Sequence, residues 1–304
     1  MTFHSDLGAL TRTVSGVEVQ TLRPVRTQVL VNEANAGERD QVERACASAP
    51  GLSVEGSVAN RGFSGGHNAN LDALFAEGMD AVLVLNPDLR LLPDAVQALW
   101  DVADREGRRC LVGPVLELGD ADLAPSGLLD STGIRWTRTA RHLDDQQGEP
   151  VEAAPRTDRR VAGLTGACLL VTREAHEAVV AGTGEFFDED FLAYREDAEL
   201  ALRCVALEIP CWLSAHARGI HGRGLRGTSR DASDLVNRLG VQNRFLIRFK
   251  HGRARPGNPL LATARDLVVL AGAALVERSS WAGVRNAWRL RGTMRAKRAR
   301  WSQS

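Results

Sequence analysis

Short apolar runs alternate with stretches in which apolar positions recur every three to four residues, from residue 5 to about residue 215. TQVLVNE (27–33), LSVEGSVAN (52–60), DAVLVLNPD (80–88) and CLVGPVL (110–116) read as strands. The segments 5–22, 36–49, 69–79 and 93–106 read as helices, with Ser5 a candidate N-cap and Pro93 in a first turn, where its missing N–H costs nothing. This alternation with short connections predicts an α/β fold, a doubly wound and mostly parallel sheet that presents ligands at the carboxyl ends of its strands. The polar, proline-bearing stretch 128–160 predicts an excursion over that rim. A strand and helix follow over 161–179, then a loop, helix and strand over 186–213. Beyond about residue 231 the pattern is helical to the end. The expected division is a domain over 1–255 and a basic helical extension over 256–304. Only MTF precedes the first helix, so the first strand of the sheet is expected to be truncated, with Thr2, Phe3 and His4 at its tip.

Composition narrows the partners. A formal net charge of zero over 304 residues argues against a polyelectrolyte binder, yet Arg285 to Arg300 holds six arginines and one lysine with no acid. With Trp288 and Trp301 nearby, that tail suits an anionic membrane surface; the alternative is a solvated basic helix packed on the domain. The five cysteines are scattered without CxxC spacing, which excludes a disulfide framework or a zinc site and suits a reducing cytoplasm. No signal peptide is expected from MTFHSDLGAL, and the longest apolar run, 267–275, is too short to span a bilayer. A cytoplasmic protein, peripheral on the inner face of the plasma membrane, is the expectation.

Four segments carry candidate chemistry. NRGFSGGHN (60–68) opens a helix, where N–H groups and the dipole favour a phosphate; it also reads as a tight turn needing positive φ. LNPD (85–88) puts Asp88 at a strand end, where it reads either as a ligand of a hard cation or as a common Asx-Pro turn. Glu196 and Asp197 start a helix, either complementing its dipole or supplying a general base. His221, in GIHGRG, reads as structural unless it joins Asp88 at a cation.

Their order is more specific than any one of them. NRGFSGGHN, LNPD, LLDSTGI (128–134), GLTGACLLVTRE (163–174), FDEDFLAYRED (187–197) and His221 together resemble glycosyltransferase family 2, of GT-A fold, in its bacterial rhamnosyltransferase-like branch, over residues 2 to about 250. The resemblance implies an inverting transfer from a nucleotide-diphosphate sugar, dTDP-rhamnose favoured, to a glycan or polyprenyl-linked acceptor in cell-envelope polysaccharide synthesis. It implies Mg2+ or Mn2+ at Asp88 and His221, with Asp197 as base beside Glu196. It assigns Thr2, His4, Asn32, Glu33, Asn60, Arg61, Gly65, Asn68, Asn86 and Asp88 to the donor, and Gly166, Tyr194 and Arg203 to the acceptor and sugar pocket. The sequence departs from the family where an Asp-Asn pair is usual after the second strand: VNEANAG (31–37) offers Asn32 and Glu33 instead. Two other classes compete. A nucleotidyltransferase would need a basic glycine-rich loop after its first strand, which HSDLGAL is not. A non-catalytic nucleotide-sugar or glycan-binding protein fits the clipped strand but not the intact Asp88, Asp197 and His221.

Overall fold

The computed structural model describes residues 6–32, 36–47, 49, 51–57, 59–223, 230–275 and 278–301. The expectations placed on Thr2, His4, Ser5 and Glu33 lie outside the described residues. The first helix, α1 (Leu7–Glu18), is capped by Asp6, whose carboxylate accepts from the N–H groups of Gly8 and Ala9. There follow β1 (Thr27–Asn32), α2 (Ala36–Ala45), β2 (Leu52–Ser57) and α3 (Gly62–Ala76). The glycine-rich segment is therefore not a loop before the helix but its first two turns. Only Gly62, at φ +64°, needs the left-handed region, and a Cβ there would lie 2.4 Å from the Leu192 carbonyl oxygen.

The chain continues through β3 (Ala81–Leu85), β4 (Leu89–Leu91), α4 (Ala95–Arg105) and β5 (Leu111–Gly119). The predicted excursion contains β6 (Pro125–Ser131), β7 (Ile134–Trp136), β8 (His142–Asp144) and β9 (Arg159–Val161), of which β7 and β8 pair as a hairpin. Then come β10 (Cys168–Thr172), α5 (Arg173–Thr183), α6 (Glu196–Ala206), β11 (Cys211–His221) and the helices α7 (Arg230–His251), α8 (Pro259–Leu275) and α9 (Arg278–Trp301).

The central sheet has the order β3-β10-β5-β11-β4, with β6 added to β5 and β9 to β11. Strands β3, β5 and β11 run one way; β10, between β3 and β5, and β4, on β11, run against them. Strands β1 and β2 pair in parallel with each other, and among the described residues neither bonds to β3. The place a strand would take between β1 and β3 is a cavity of about 480 Å³. Val29, Val82 and Val84 of the strands, Val14 of α1 and Leu71 of α3 line it.

The sheet is buried on both faces. On one, Leu71 and Phe75 of α3, Val179 of α5 and Leu200 of α6 pack together; on the other, Leu99 and Val102 of α4 do. Full burial of a side chain such as Leu99 contributes roughly 2 kcal/mol. The C-terminal helices share a core with the rest, since Ala287 and Met294 of α9 cluster with Phe191, Ala198 and Phe245. Gly283 permits this approach: a Cβ there would stand 2.3 Å from the Arg238 carbonyl oxygen of α7. Buried charge joins the same parts. Lys297 of α9 meets Glu185 and Asp188, and Lys250 of α7 pairs with Asp188 and Glu199.

Candidate active site

The carboxyl rim of the sheet gathers two acidic centres. The first begins at the turn after β3. The Thr13 hydroxyl donates to the Pro87 carbonyl and accepts from the Leu89 N–H, fixing the turn to α1. Register then sets its neighbour: Leu89 of β4 opposes His221 of β11, and the Gly222 N–H donates to the Asp88 carbonyl at 2.8 Å. His221 Nε2 lies 3.5 Å from Asp88 Oδ1, while Nδ1 meets the wholly buried Asp130 at 2.8 Å. Burial alone disfavours a charged imidazole, but the hydrogen bonds to Asp130 and Asp88 win and raise His221 to about 9. Arg223 pairs with Asp130 and with Asp144 of β8, extending the string of charges across the rim.

No three acids, histidines or cysteines converge as a complete metal cage among the described residues. Two donors do converge, and they fit a hard cation. Asp130 on Nδ1 directs Nε2 of His221 toward Asp88, the outer-shell arrangement that orients metal-binding histidines. Such a cation takes its other ligands from phosphate oxygens and water. A proton and a cation compete for that Nε2.

The second centre is the start of α6. The loop before it is strained: Leu192, Tyr194 and Arg195 all have positive φ, at 56°, 68° and 69°. One side chain holds it. Asn243 of α7, wholly buried, donates from Nδ2 toward the carbonyls of Phe191, Ala193 and Tyr194 at 2.8, 2.8 and 2.7 Å. Asp197, next along, accepts from the N–H of Ala198 at 2.7 Å and of Gly166 at 3.3 Å. A side chain at Gly166 would press on Phe63 at 3.0 Å. Burial, then the charge of Asp144, raises the Asp197 carboxyl above its ordinary range. Burial, then Asp197, pushes Glu196 up to about 8, so Glu196 is neutral at pH 7. The Asn86 N–H donates to the Ala167 carbonyl at 2.9 Å, tying the Asp88 turn to the Gly166 turn that precedes β10.

The glycine-rich helix start faces the same rim through an asparagine cluster. Asn32 Nδ2 donates to Asn60 Oδ1 at 3.0 Å, and the Arg61 N–H donates to Asn32 Oδ1 at 2.9 Å. Asn60 and Arg61 are exposed, and Arg61 stands 3.9 Å from Glu189. A Cβ on Gly65 would meet the Arg61 Cβ at 3.2 Å. Asn68 is otherwise occupied: its amide exchanges two 2.8 Å hydrogen bonds with the backbone of Phe187, so it holds that strand of chain in place. Arg203 needs correction. It is wholly buried, bound to Glu199, Thr183 and the Glu185 carbonyl, and does not face the cleft. Asp130, Asp144, Arg223 and Asn243 were not singled out from sequence. Asp130 and Arg223 alone carried a signal, lying within the quoted segments LLDSTGI and GIHGRG.

The carboxyl rim of this α/β sheet thus carries an aspartate–histidine pair at one end and a helix-start acid pair at the other, on a fold of GT-A type. Solved structures agree on the fold. The chain aligns with GalNAc-T7, crystallised with UDP, GalNAc and Mn2+, at TM-score 0.55 and 13% identity, covering 88% of this chain and 54% of that one. It aligns with Staphylococcus aureus TarS at TM-score 0.51 and 12% identity, covering 98% of this chain and 52% of that one. The chain thus spans about half the length of each solved chain. No protein-family model matches it. It is, however, 30% identical over 250 residues to the N-acetylglucosaminyl-diphospho-decaprenol L-rhamnosyltransferase of Mycobacterium tuberculosis, in strain CDC 1551 / Oshkosh and in strain ATCC 25618 / H37Rv. That match covers 75% of this chain and 76% of the relative. The chain belongs to glycosyltransferase family 2 and is a glycosyltransferase.

Proposed function

We propose that this glycosyltransferase moves rhamnose from dTDP-rhamnose to a polyprenyl-diphosphate-linked N-acetylglucosamine, with inversion, in cell-envelope polysaccharide synthesis. The relative's name supports the sugar and the acceptor class. The observation that supports the mechanism is the separation of two centres along one charged string. Asp88 and His221 lie at one end, Asp197 at the other, and Asp130, Arg223 and Asp144 between them.

Asp197 is the base. It takes the proton of the acceptor hydroxyl as that oxygen bonds to the anomeric carbon. The bond from that carbon to the diphosphate breaks on the other face, and the leaving group keeps the electron pair. The N–H groups of Gly166 and Ala198 fix both Asp197 oxygens for this. Glu196, held protonated by burial, keeps a second negative charge from forming beside the base. Asp88 and His221 would hold Mg2+ or Mn2+, which when bound neutralises the leaving diphosphate; the Mn2+ in the GalNAc-T7 crystals is in keeping with this. Asn32, Asn60 and Arg61 stand where the nucleotide end of the donor would lie. Among the described residues no helix is long and apolar enough to cross a membrane. The basic C-terminal helices would bring the enzyme to the cytoplasmic leaflet that carries a lipid-linked acceptor.

The test is transfer from dTDP-rhamnose to a short-chain polyprenyl-diphosphate N-acetylglucosamine, read by product mass and anomeric NMR coupling. An inverted rhamnosyl product is expected. Asp197→Asn is expected to lower turnover roughly 10²-fold or more, as for loss of a general base. No consumption of any nucleotide sugar, or wild-type turnover in Asp197→Asn, would overturn the assignment.

A further inference from the structure

The helical C-terminal region carries a cavity of about 770 Å³ outside the catalytic rim, between the end of α7, the start of α8 and the last turns of α9. Arg248, Arg255, Arg295 and Arg298 line it, and no acid does. Asp266 of α8, a nearby carboxylate, is taken up by Arg244 and Arg248. Arg255, half-buried, gives its Nε to the Gly252 carbonyl at 3.2 Å. Burial, then the charges of Arg248 and Arg244, depress Arg255 to about 10. Four guanidiniums around a hollow recognise phosphate oxygens through their planar forks.

A second feature adjoins it. Leu260, at the mouth of the cavity and 80% exposed, begins a stripe along α8 that runs through Ala264, Leu267, Ala271 and Leu275. These positions, spaced four, three, four and four apart, stay on one face of a helix over about 22 Å. All are exposed, Leu267 at 62% and Leu275 at 84%, and Val268 beside them is 70% exposed. The only charged residues of α8, Arg265 and Asp266, are off this face, Asp266 being buried. At the other edge, Phe249 lines the cavity and meets the exposed Trp288 ring at 5.8 Å between centroids. A continuous exposed apolar face of this kind marks an interaction surface.

We infer that this face docks on an anionic phospholipid bilayer, with a headgroup phosphate in the arginine cavity and the α8 stripe set into the acyl boundary. Charge complementarity selects this occupant. The apolar stripe is bordered by a four-arginine cavity and by the acid-free, arginine-rich run of α9, a combination that suits anionic lipid and not a neutral protein groove. The proposal deepens the membrane reading above and rests on it for its purpose, the presentation of a lipid-linked acceptor. Vesicle binding needs neither donor nor acceptor, so its failure leaves the transfer reaction untouched.

The experiment is flotation of the full-length protein with vesicles of phosphatidylglycerol and phosphatidylcholine, or of phosphatidylcholine alone, at low and high salt. Binding to the anionic vesicles only, weakened by salt, is expected. Arg255→Ser with Arg295→Ser should weaken it about 25-fold, at about fivefold per arginine near the surface. Leu267→Glu should abolish it, with melting temperature and donor hydrolysis unchanged in both variants. Equal binding to neutral vesicles, or none to anionic vesicles at low salt, would overturn the proposal. So would release from vesicles by millimolar inorganic phosphate, which would make the cavity a site for free phosphate. A dimer in solution that Leu267→Glu dissociates, without vesicle binding, would assign the stripe to a second copy and overturn it equally.

Discussion

Asn243→Ala removes a side chain that touches no reacting atom, and its effect can be worked out from the loop it clamps. The Asn243 amide faces three carbonyls of residues 191–194 at 2.7–2.8 Å. At roughly 1 kcal/mol net per hydrogen bond, the clamp contributes about 2–3 kcal/mol. Against it stand the positive φ values of Leu192, Tyr194 and Arg195, each costing of order 1 kcal/mol or more. The two sums are comparable, so the clamp is what offsets most of the strain of the loop. Without it the strain relaxes, and the backbone that delivers Asp197 shifts. A shift of about 1 Å at a reacting group costs roughly 10²-fold in rate. Because relaxation returns part of the lost energy, the melting temperature should fall by only about 2–4 °C, given the large unfolding entropy of a chain of this length. Donor KM should change little, since the asparagine cluster at Asn32 and Asn60 is elsewhere. Initial rates of nucleotide release with varied donor, alongside thermal melts, give all three quantities. Asn243→Asp, nearly the same shape but unable to donate, should do no better than alanine. If Asn243→Ala turns over within threefold of wild type, the loop holds itself and the reasoning fails.

Two further outcomes follow from the electrostatics. Glu196 sits at about 8 in the folded protein against 4.5 ordinarily, so its burial contributes stability that is whole below pH 4.5 and lost as pH rises to about 8. The slope between these limits approaches 1.4 kcal/mol per pH unit, about that of one proton; melts of Glu196→Gln from pH 5 to 8 should lack this slope, and parallel profiles for variant and wild type would refute the assignment. Asp130→Asn should lower the affinity for Mn2+ about 10- to 100-fold by loosening His221, and titration calorimetry in the presence of the nucleoside diphosphate reads this directly.

Much of the fold was legible in periodicity. The strands at 27, 52, 81 and 111 appear where the pattern puts them, and so do the helices around them except α3, which begins at Gly62 rather than at residue 69. Strand direction was not legible. The strand β10 is buried at all five positions, as a parallel strand would be, and only its pairing with Val82, Val84 and Val112 reveals that it runs backward. At the site, Asp88 and His221 stood out because each lies at an element's end beside proline or glycine, and Asp197 because it forms an adjacent acid pair with Glu196 at a helix start. Arg203 misled because it shares a helix with Asp197. Six residues on, at about 100° per residue, it has turned to the far side of that helix, where Glu199 receives it. Asn243, one of three amides in a long polar helix with Asn237 and Gln242, resembles any solvated residue. Its partners are 49 to 52 positions away, and only the fold brings them together.

The cavity between β1 and β3 divides the donor cleft mechanically. No ladder of backbone hydrogen bonds crosses it among the described residues, so β1, α2 and β2 adhere to the rest through side-chain packing with α1 and α3 and through the Asn32 and Gln28 amides. Such a unit is expected to open on its own, at a free energy below that of global unfolding. Amide protons of residues 27–32 and 52–57 should therefore exchange ahead of those in β5 and β11. On the proposed function, the end of the cleft that would meet the nucleotide is then the more compliant one, and the end around Asp197 the more rigid. Donor selection by Asn32, Asn60 and Arg61, as proposed, would then fall to the part of the molecule best able to adjust to what it binds.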